Sequence, residues 1–443
     1  MVERIFGLKE RGSKVSTEVI AGFVTFMTMA YIIFVNSSLL SKGGVPFEGA
    51  VMATVLSAAI TCIVMGLFSN LPFALAAGMG YNAFFAFTVC GTMQVPWQTA
   101  LGCVFWDGVI FVIIALSPWR EQVLKGIPSN LKLAASVGIG IFIAFIGLSG
   151  AGIITKNPAT IIALGNIKSP AVLLALGGLL FTTFLLAVRV KGALLWGIIA
   201  TALAGMLVSS GGTTITPVPH ALTDVVKLPS GKAFASVFFQ LDIIGALKLS
   251  LLPVIFTFIF FDLFDTLGSV AGLAAKLDIL DKKGSFPGAG RVLIVDAFGT
   301  LIGSLCGTTT VTTYIESAAG VAEGGKSGLT AIVVGILFLL GLFFAPFARI
   351  IPASATAPAL ILVGLFMMEP ILKINWRDVT ESLPAFLTII IMPLTSNISH
   401  GLAAGIISYT LLKLITGKGK EVSWLLYIFT LLFIIYYAFG YKG

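Results

Sequence analysis

Charge is scarce in this chain: only 10% of its 443 residues are Asp, Glu, Lys or Arg, while 58% are hydrophobic and the mean hydropathy is +1.06. So little polar surface cannot cover a soluble globule. Apolar runs near the roughly 20 residues needed to cross a hydrocarbon core of about 30 Å recur from end to end. A soluble domain of any size is excluded, and residues 1–443 read as one membrane domain. Histidine is scarcer still. With only His220 and His400, both in predicted loops, a His-based triad or a haem site is hard to build. Cys62, Cys90, Cys103 and Cys306 lie in or beside apolar segments without C-x-x-C spacing, so neither a disulfide framework nor a zinc site is indicated.

What charge there is carries an orientation. Arg4, Lys9, Arg11 and Lys14 precede an apolar run from Val19 to Leu40 that is too long for a signal peptide and lacks a small-residue cleavage site, so it reads as the first span. With the N-terminus placed inside, 19 of the 27 Lys and Arg fall on the cytoplasmic side and seven outside, the positive-inside signature. The net charge of +8 therefore calls for no nucleic-acid partner. A multi-pass protein of the cell membrane with a cytoplasmic N-terminus is expected, in contact with lipid.

Apolar segments fall near 19–40, 48–69, 72–90, 97–117, 132–149, 171–189 and 193–209, and after a polar connection at 210–247 near 249–275, 288–304, 307–322, 328–347, 354–369, 382–397 and 400–416. An all-α fold of about 14 spans follows, as two repeats of seven over 18–209 and 248–416. An odd number per repeat inverts the second relative to the first. Residues 417–443, with the apolar stretch Val422–Phe439, fall outside this count as an extra span or an interfacial helix.

The third segment of each repeat is a poor continuous helix. In NLPFALAAGMGYNAFF (Asn70–Phe85), Pro72 removes a backbone donor while Gly78 and Gly80 weaken the helix. In CGTTTVTTYIESAAG (Cys306–Gly320), the β-branched run Thr308–Thr313 favours extended backbone before a helix starting near Tyr314. Extended backbone at membrane depth survives only where it is buried in protein or lines a cavity, so a matched pair of breaks points to a substrate site. The breaks centre on Asn82 and Glu316.

The stretch GVAEGGKS (Gly320–Ser327) fits the phosphate-binding pattern G-x-x-x-x-G-K-[ST]. An intramembrane helix stands before it where a strand is required, so it reads instead as a tight cytoplasmic turn.

Charged residues inside spans are Asp107, Asp262, Asp265, Asp296 and Glu316. Each ionised acid at a bilayer centre costs about 2.5–3.5 kcal/mol, which marks such groups as functional candidates. Asp262 and Asp265, three apart, should lie near one face of a helix, where mutual repulsion lets one of them carry a transported proton. Asp107 and Asp296 read as structural contacts between helices. Glu316, in the first turn of its helix, offers acceptors only, beside backbone N–H groups expected to be free. A planar heterocyclic amide such as a nucleobase matches that combination. Phe84, Phe85 and Phe264 are placed to supply a stacking face.

FFDLFDTLGSVAGLA (260–274), the run DAFGTLIGSLCGTTTVTTYIESAAGVAEGGKSGLTA (296–331) and AAGMGYNAFF (76–85) together resemble the nucleobase/ascorbate transporter superfamily, more narrowly its adenine, guanine and hypoxanthine permeases. The resemblance spans essentially the whole chain. It implies a core domain of spans 1–4 and 8–11, a gate domain of spans 5–7 and 12–14 that often dimerises, and short antiparallel strands in spans 3 and 10. It places the span 8 acid on Asp265, the span 10 acid on Glu316 and the span 3 polar residue on Asn82, with backbone around Tyr81 and Ile315 contacting the base. Asp rather than Glu at 265 supports the purine branch, whereas Ser269, where other branches often carry His or Asp, leaves the proton route open. The expected activity is a proton-coupled purine permease with alternating access by rocking of the gate against the core. No enzyme activity or cofactor is expected, and the coupling ion stays open between H⁺ and Na⁺. An anion exchanger or channel on the same fold is the alternative. An intramembrane aspartyl protease is disfavoured because no G-x-G-D sequence occurs.

Overall fold

The computed structural model describes residues 2–117, 126, 128–210, 212–279 and 286–440; Arg120, Lys125, Lys282, Lys283 and Lys442 of the charge count lie outside them. Among the described residues, ten helices are long and apolar enough to cross a membrane, and three shorter apolar helices accompany them. The first span is two consecutive helices, α1 (Val15–Met29) and α2 (Tyr31–Lys42), followed by α3 (Phe47–Phe68). The first interrupted segment is β1 (Leu75–Ala77) and α4 (Met79–Ala83), which runs on as π-helical turns Phe84–Thr92. Helices α5 (Trp97–Leu116) and α6 (Ser129–Gly150) come next. A hairpin of β2 (Ile154–Asn157) and β3 (Ile161–Leu164), not foreseen from the sequence, leads to α7 (Pro170–Ala187) and α8 (Ala193–Leu207).

The connection after α8 folds onto the helices rather than trailing in water. Its short helix α9 (Gly231–Ala235) leads to Val237, which is fully buried, while the Phe239 and Asp242 amides donate to the carbonyls of Leu305 and Gln98 at 3.0 and 2.9 Å. The chain then forms α10 (Leu252–Lys276) and α11 (Ala289–Cys306), which stops at Gly307. Gly307 has φ +100, and a Cβ there would sit 2.6 Å from that of Val237, so both backbone and space require glycine. β4 (Val311–Thr313) and the six-residue α12 (Ser317–Ala322) form the second interrupted segment. There follow α13 (Gly328–Gly341), α14 (Ala345–Ile350), α15 (Ala353–Phe366), α16 (Val379–Thr395), α17 (Ile398–Ile415) and α18 (Trp424–Ile435).

Packing sorts the helices into two sets. In one, α3 lies against α13 and α11, α5 against α11 and α10, and α1 against α13 and α12; in the other, α6 lies against α15 and α16, α16 against α17, and α7 against α8 and α15. Small residues set the closest crossings, as expected where lipid supplies no hydrophobic drive between helices. A Cβ on Gly328 would fall 1.9 Å from the Gly66 carbonyl oxygen, and one on Gly364 would fall 2.4 Å from that of Gly140. Helix α18 packs on α10 through Phe256 and Phe429, whose ring centroids are 3.9 Å apart. With its continuation it reaches Ala438, about 22 Å at 1.5 Å per residue, which is short of a full hydrocarbon core.

Candidate functional site

The two interrupted segments meet. β1 and β4 pair antiparallel in the register Leu75↔Thr313, Ala76↔Thr312 and Ala77↔Val311, and all six residues are buried. Bonds beyond the ladder extend the crossing: Gly78 N–H donates to Thr310 O (3.0 Å), Tyr314 N–H to Ala74 O (2.9 Å), and the Tyr314 hydroxyl to Ala77 O (2.5 Å). Backbone that lipid could not satisfy is thus satisfied by its counterpart from the other half of the chain. Leu75 makes a further pair of contacts with the Cys62 sulfur, 3.1 Å from its N and 3.2 Å from its O.

Acids fix the crossing from outside. Asp296 of α11 accepts from the Thr313 amide (2.7 Å), from the hydroxyls of Thr313 (2.6 Å) and Thr312 (3.4 Å), and from that of Thr266. Asp107 of α5 accepts from the Thr310 hydroxyl at 3.1 Å, and Asn82 Oδ1 from that of Thr309. All three side chains are fully buried. The threonine run therefore does more than favour extended backbone, since its hydroxyls are the donors that neutralise buried acceptors.

Asp262 and Asp265 part company. Asp262 is fully buried and accepts from the Thr300 hydroxyl of α11 at 2.6 Å, whereas Asp265 is exposed and accepts from the Tyr81 hydroxyl at 3.2 Å. Three residues along a helix is about 60° of rotation, enough here to send one acid into the packing and the other out of it. Glu316, half-buried at the start of α12, accepts from the Tyr31 hydroxyl of α2 at 2.9 Å. Ile315, 47% exposed, reaches toward Gly272 of α10.

Two expectations fail. Phe84 and Phe85 offer no stacking face: both are fully buried, with Phe84 edge-to-face against Phe258 at 5.0 Å. The first-turn amides of α12 are not free either. Ser317, Ala318 and Ala319 donate to the carbonyls of Tyr314, Ile315 and Glu316 at 3.1, 2.9 and 2.9 Å, a tightened 3₁₀-type start that consumes them. The Phe264 side chain lies outside the described residues. An apolar cavity of about 280 Å³ between α10 and α18, lined by Pro253, Phe256, Phe429 and Phe433, holds none of these acids. Among the described residues no group of three His, Cys, Asp or Glu is placed to hold a metal ion.

The sequence profile of the Permease family matches residues 16–404. The chain belongs to the nucleobase/ascorbate transporter family. Relatives of this permease run its whole length. The guanine/hypoxanthine permease PbuG of Bacillus subtilis is 42% identical over 99% of this chain and all of its own, and the adenine permease AdeP of Escherichia coli 41% identical over 99% and 96%. Among solved structures, the transmembrane domain of the cyanobacterial bicarbonate transporter BicA superposes with a TM-score of 0.61 over 88% of this chain and 97% of that one; at 14% identity this shows a shared fold. The chain is a multi-pass membrane protein of the permease type.

In this transporter two polar residues escaped the sequence reading. Tyr31 looks like one more aromatic in an apolar run, and Glu18 like the edge of a basic N-terminus. Glu18 is fully buried: its carboxylate accepts from the amides of Lys326 (3.0 Å) and Ser327 (3.2 Å) and from the Thr330 hydroxyl (2.6 Å). The amides of the phosphate-loop-like stretch are thus turned on a carboxylate of the same chain.

Proposed function

We propose that this permease takes up purine nucleobases (adenine, guanine and hypoxanthine) by proton symport. The observation that carries the reading is Glu316, an acid at a backbone break inside the membrane, gripped by Tyr31 yet only half-buried. A carboxylate has about four acceptor positions, and the Tyr31 hydroxyl fills one. The others are open to the N–H edge of a purine. Asp265, held by Tyr81, takes a second polar edge or the transported proton, and Asp262 one turn earlier is its buried partner in proton traffic. Backbone at Tyr81 and Ile315 meets the ring, and Asn82 steadies the crossing through Thr309.

Full-length relatives named for adenine and for guanine/hypoxanthine support the substrate class. An anion would meet repulsion from both Asp265 and Glu316, which disfavours exchange of small anions. The reading carries with it 14 spans in two inverted repeats (18–209 and 248–416), with 417–443 outside them. The packing set around α3, α11 and α13 forms the core and the set around α6, α15 and α16 a rocking gate, through which two copies dimerise in the cell membrane with cytoplasmic N-termini. The test is uptake of labelled adenine, guanine and hypoxanthine into proteoliposomes with and without an inward proton gradient. At least one base should accumulate with the gradient and fail to do so in Glu316→Gln; uptake indifferent to both would refute the proposal.

A further inference from the structure

Span 1 touches the second interrupted segment along one stripe. Glu18, Ala21, Thr25, Thr28 and Tyr31 recur every three or four residues, the spacing of a single helix face. Tyr31 holds the Glu316 side chain, and the Thr28 hydroxyl lies 3.5 Å from the Glu316 carbonyl oxygen. Midway, a Cβ on Gly320 would fall 2.1 Å from the Thr25 hydroxyl and 2.5 Å from the Ala21 carbonyl oxygen, so α12 lies directly on α1. At the far end Glu18 collects its three donors from the loop that opens α13. A fully buried carboxylate is tolerated only when such donors replace water, and a helix N-terminus favours its charge. Asn70 Oδ1 accepts from the Gly328 amide beside it at 2.9 Å, and Arg11 donates to Lys326 O at 2.8 Å. The loop is anchored by one internal anion, these two outlying bonds and an ion pair between Lys191 and Glu323.

We infer that Glu18 is a positioning residue for the substrate-binding carboxylate of Glu316: it clamps the distal end of the Glu316 segment to span 1, so that Tyr31 and Glu316 meet in register. Glu316 and Lys326 are only ten positions apart, and the six-residue α12 between them leaves little slack to absorb a shift of the loop. The inference rests on Glu316 binding the purine, as proposed above.

The test uses the full chain in proteoliposomes, the purine the wild type takes up, and three variants. In Glu18→Ala, KM rises about tenfold, the loss expected for charge-assisted hydrogen bonds, while the maximal rate per folded transporter stays within about twofold. Thr330→Val, nearly isosteric and short of one donor, raises KM about threefold. Formate at tens of millimolar occupies the vacated amides in Glu18→Ala and returns KM toward the wild-type value, which formate leaves unchanged. A merely structural role predicts lower thermal stability with normal KM in the folded fraction, and that result in both variants overturns the inference. So does a raised KM in Glu18→Ala that formate leaves untouched while Thr330→Val is normal. If Glu18→Ala does not fold, Thr330→Val decides alone. Glu316→Gln, measured alongside, separates the two readings: wild-type uptake there discards the site itself, whereas lost uptake with normal KM in the other two discards only the role of Glu18.

Discussion

Removing a single oxygen atom, in Tyr31→Phe, tests the substrate site most directly. Tyr31 is 1% exposed and its hydroxyl lies 2.9 Å from Glu316 Oε1, so phenylalanine keeps the ring packing, opens almost no cavity and loses only that bond. A hydrogen bond to a charged group contributes about 1.5–3 kcal/mol. Glu316 is half-buried rather than sealed, which places the loss near the lower end, and about 1.4 kcal/mol corresponds to tenfold in affinity. The bond is already made without substrate, so its loss also lowers thermal stability, and purine KM in proteoliposomes and Kd by equilibrium binding in detergent should both rise by up to about tenfold. A competing effect has the opposite sign: the lost donor frees an acceptor position on Glu316 that substrate can use. A KM unchanged within about twofold would show that the hydroxyl does not orient the carboxylate, and a lowered KM would show that it competes with substrate. Either result refutes the reasoning.

Asp296→Asn places an amide donor among donors from Thr266, Thr312 and Thr313; the hydroxyls must turn to accept from it or go unpaired at about 1–3 kcal/mol for each group so left, thermal unfolding in detergent should move to lower temperature, and near-normal stability would discard Asp296 as the anchor of the crossing. Lys413, whose side chain is 3% exposed, bridges Glu381 at 2.9 Å and Glu421 at 2.7 Å on the other packing set. Lys413→Met should cost about 3 kcal/mol or less, given the exposure of Glu421, without changing purine KM. Adding Glu381→Gln should recover part of that stability, and no recovery would show that the buried charge left behind is not the cause.

The breaks in spans 3 and 10 were legible because proline, paired glycines and a threonine run are local signals, and the structure places Asn70–Phe85 and Cys306–Gly320 side by side. What depends on contacts across the chain was not legible. Glu18 meets a loop more than 300 residues later, and nothing near it in the sequence hints at buried amide partners. Tyr31 gains its role only because α2 passes Glu316. Spacing correctly put Asp262 and Asp265 on neighbouring helix positions, but not the Thr300 and Tyr81 hydroxyls that give them separate environments. Phe84 and Phe85 were misread because an aromatic beside a break looks the same in sequence whether its ring lines a gap or fills the packing behind it. The α12 amides were misread because the sequence does not distinguish a 3₁₀ start from an α-helical one.

The three-rung ladder between Leu75–Ala77 and Val311–Thr313 also limits how the protein can move. Backbone from early in the chain is stitched to backbone from late in the chain next to the proposed binding acids, so the two halves of the polypeptide cannot slide or hinge apart there without tearing buried amide bonds. Under the proposed alternating access, any displacement must carry this knot as a single piece, with the slip plane at side-chain contacts elsewhere.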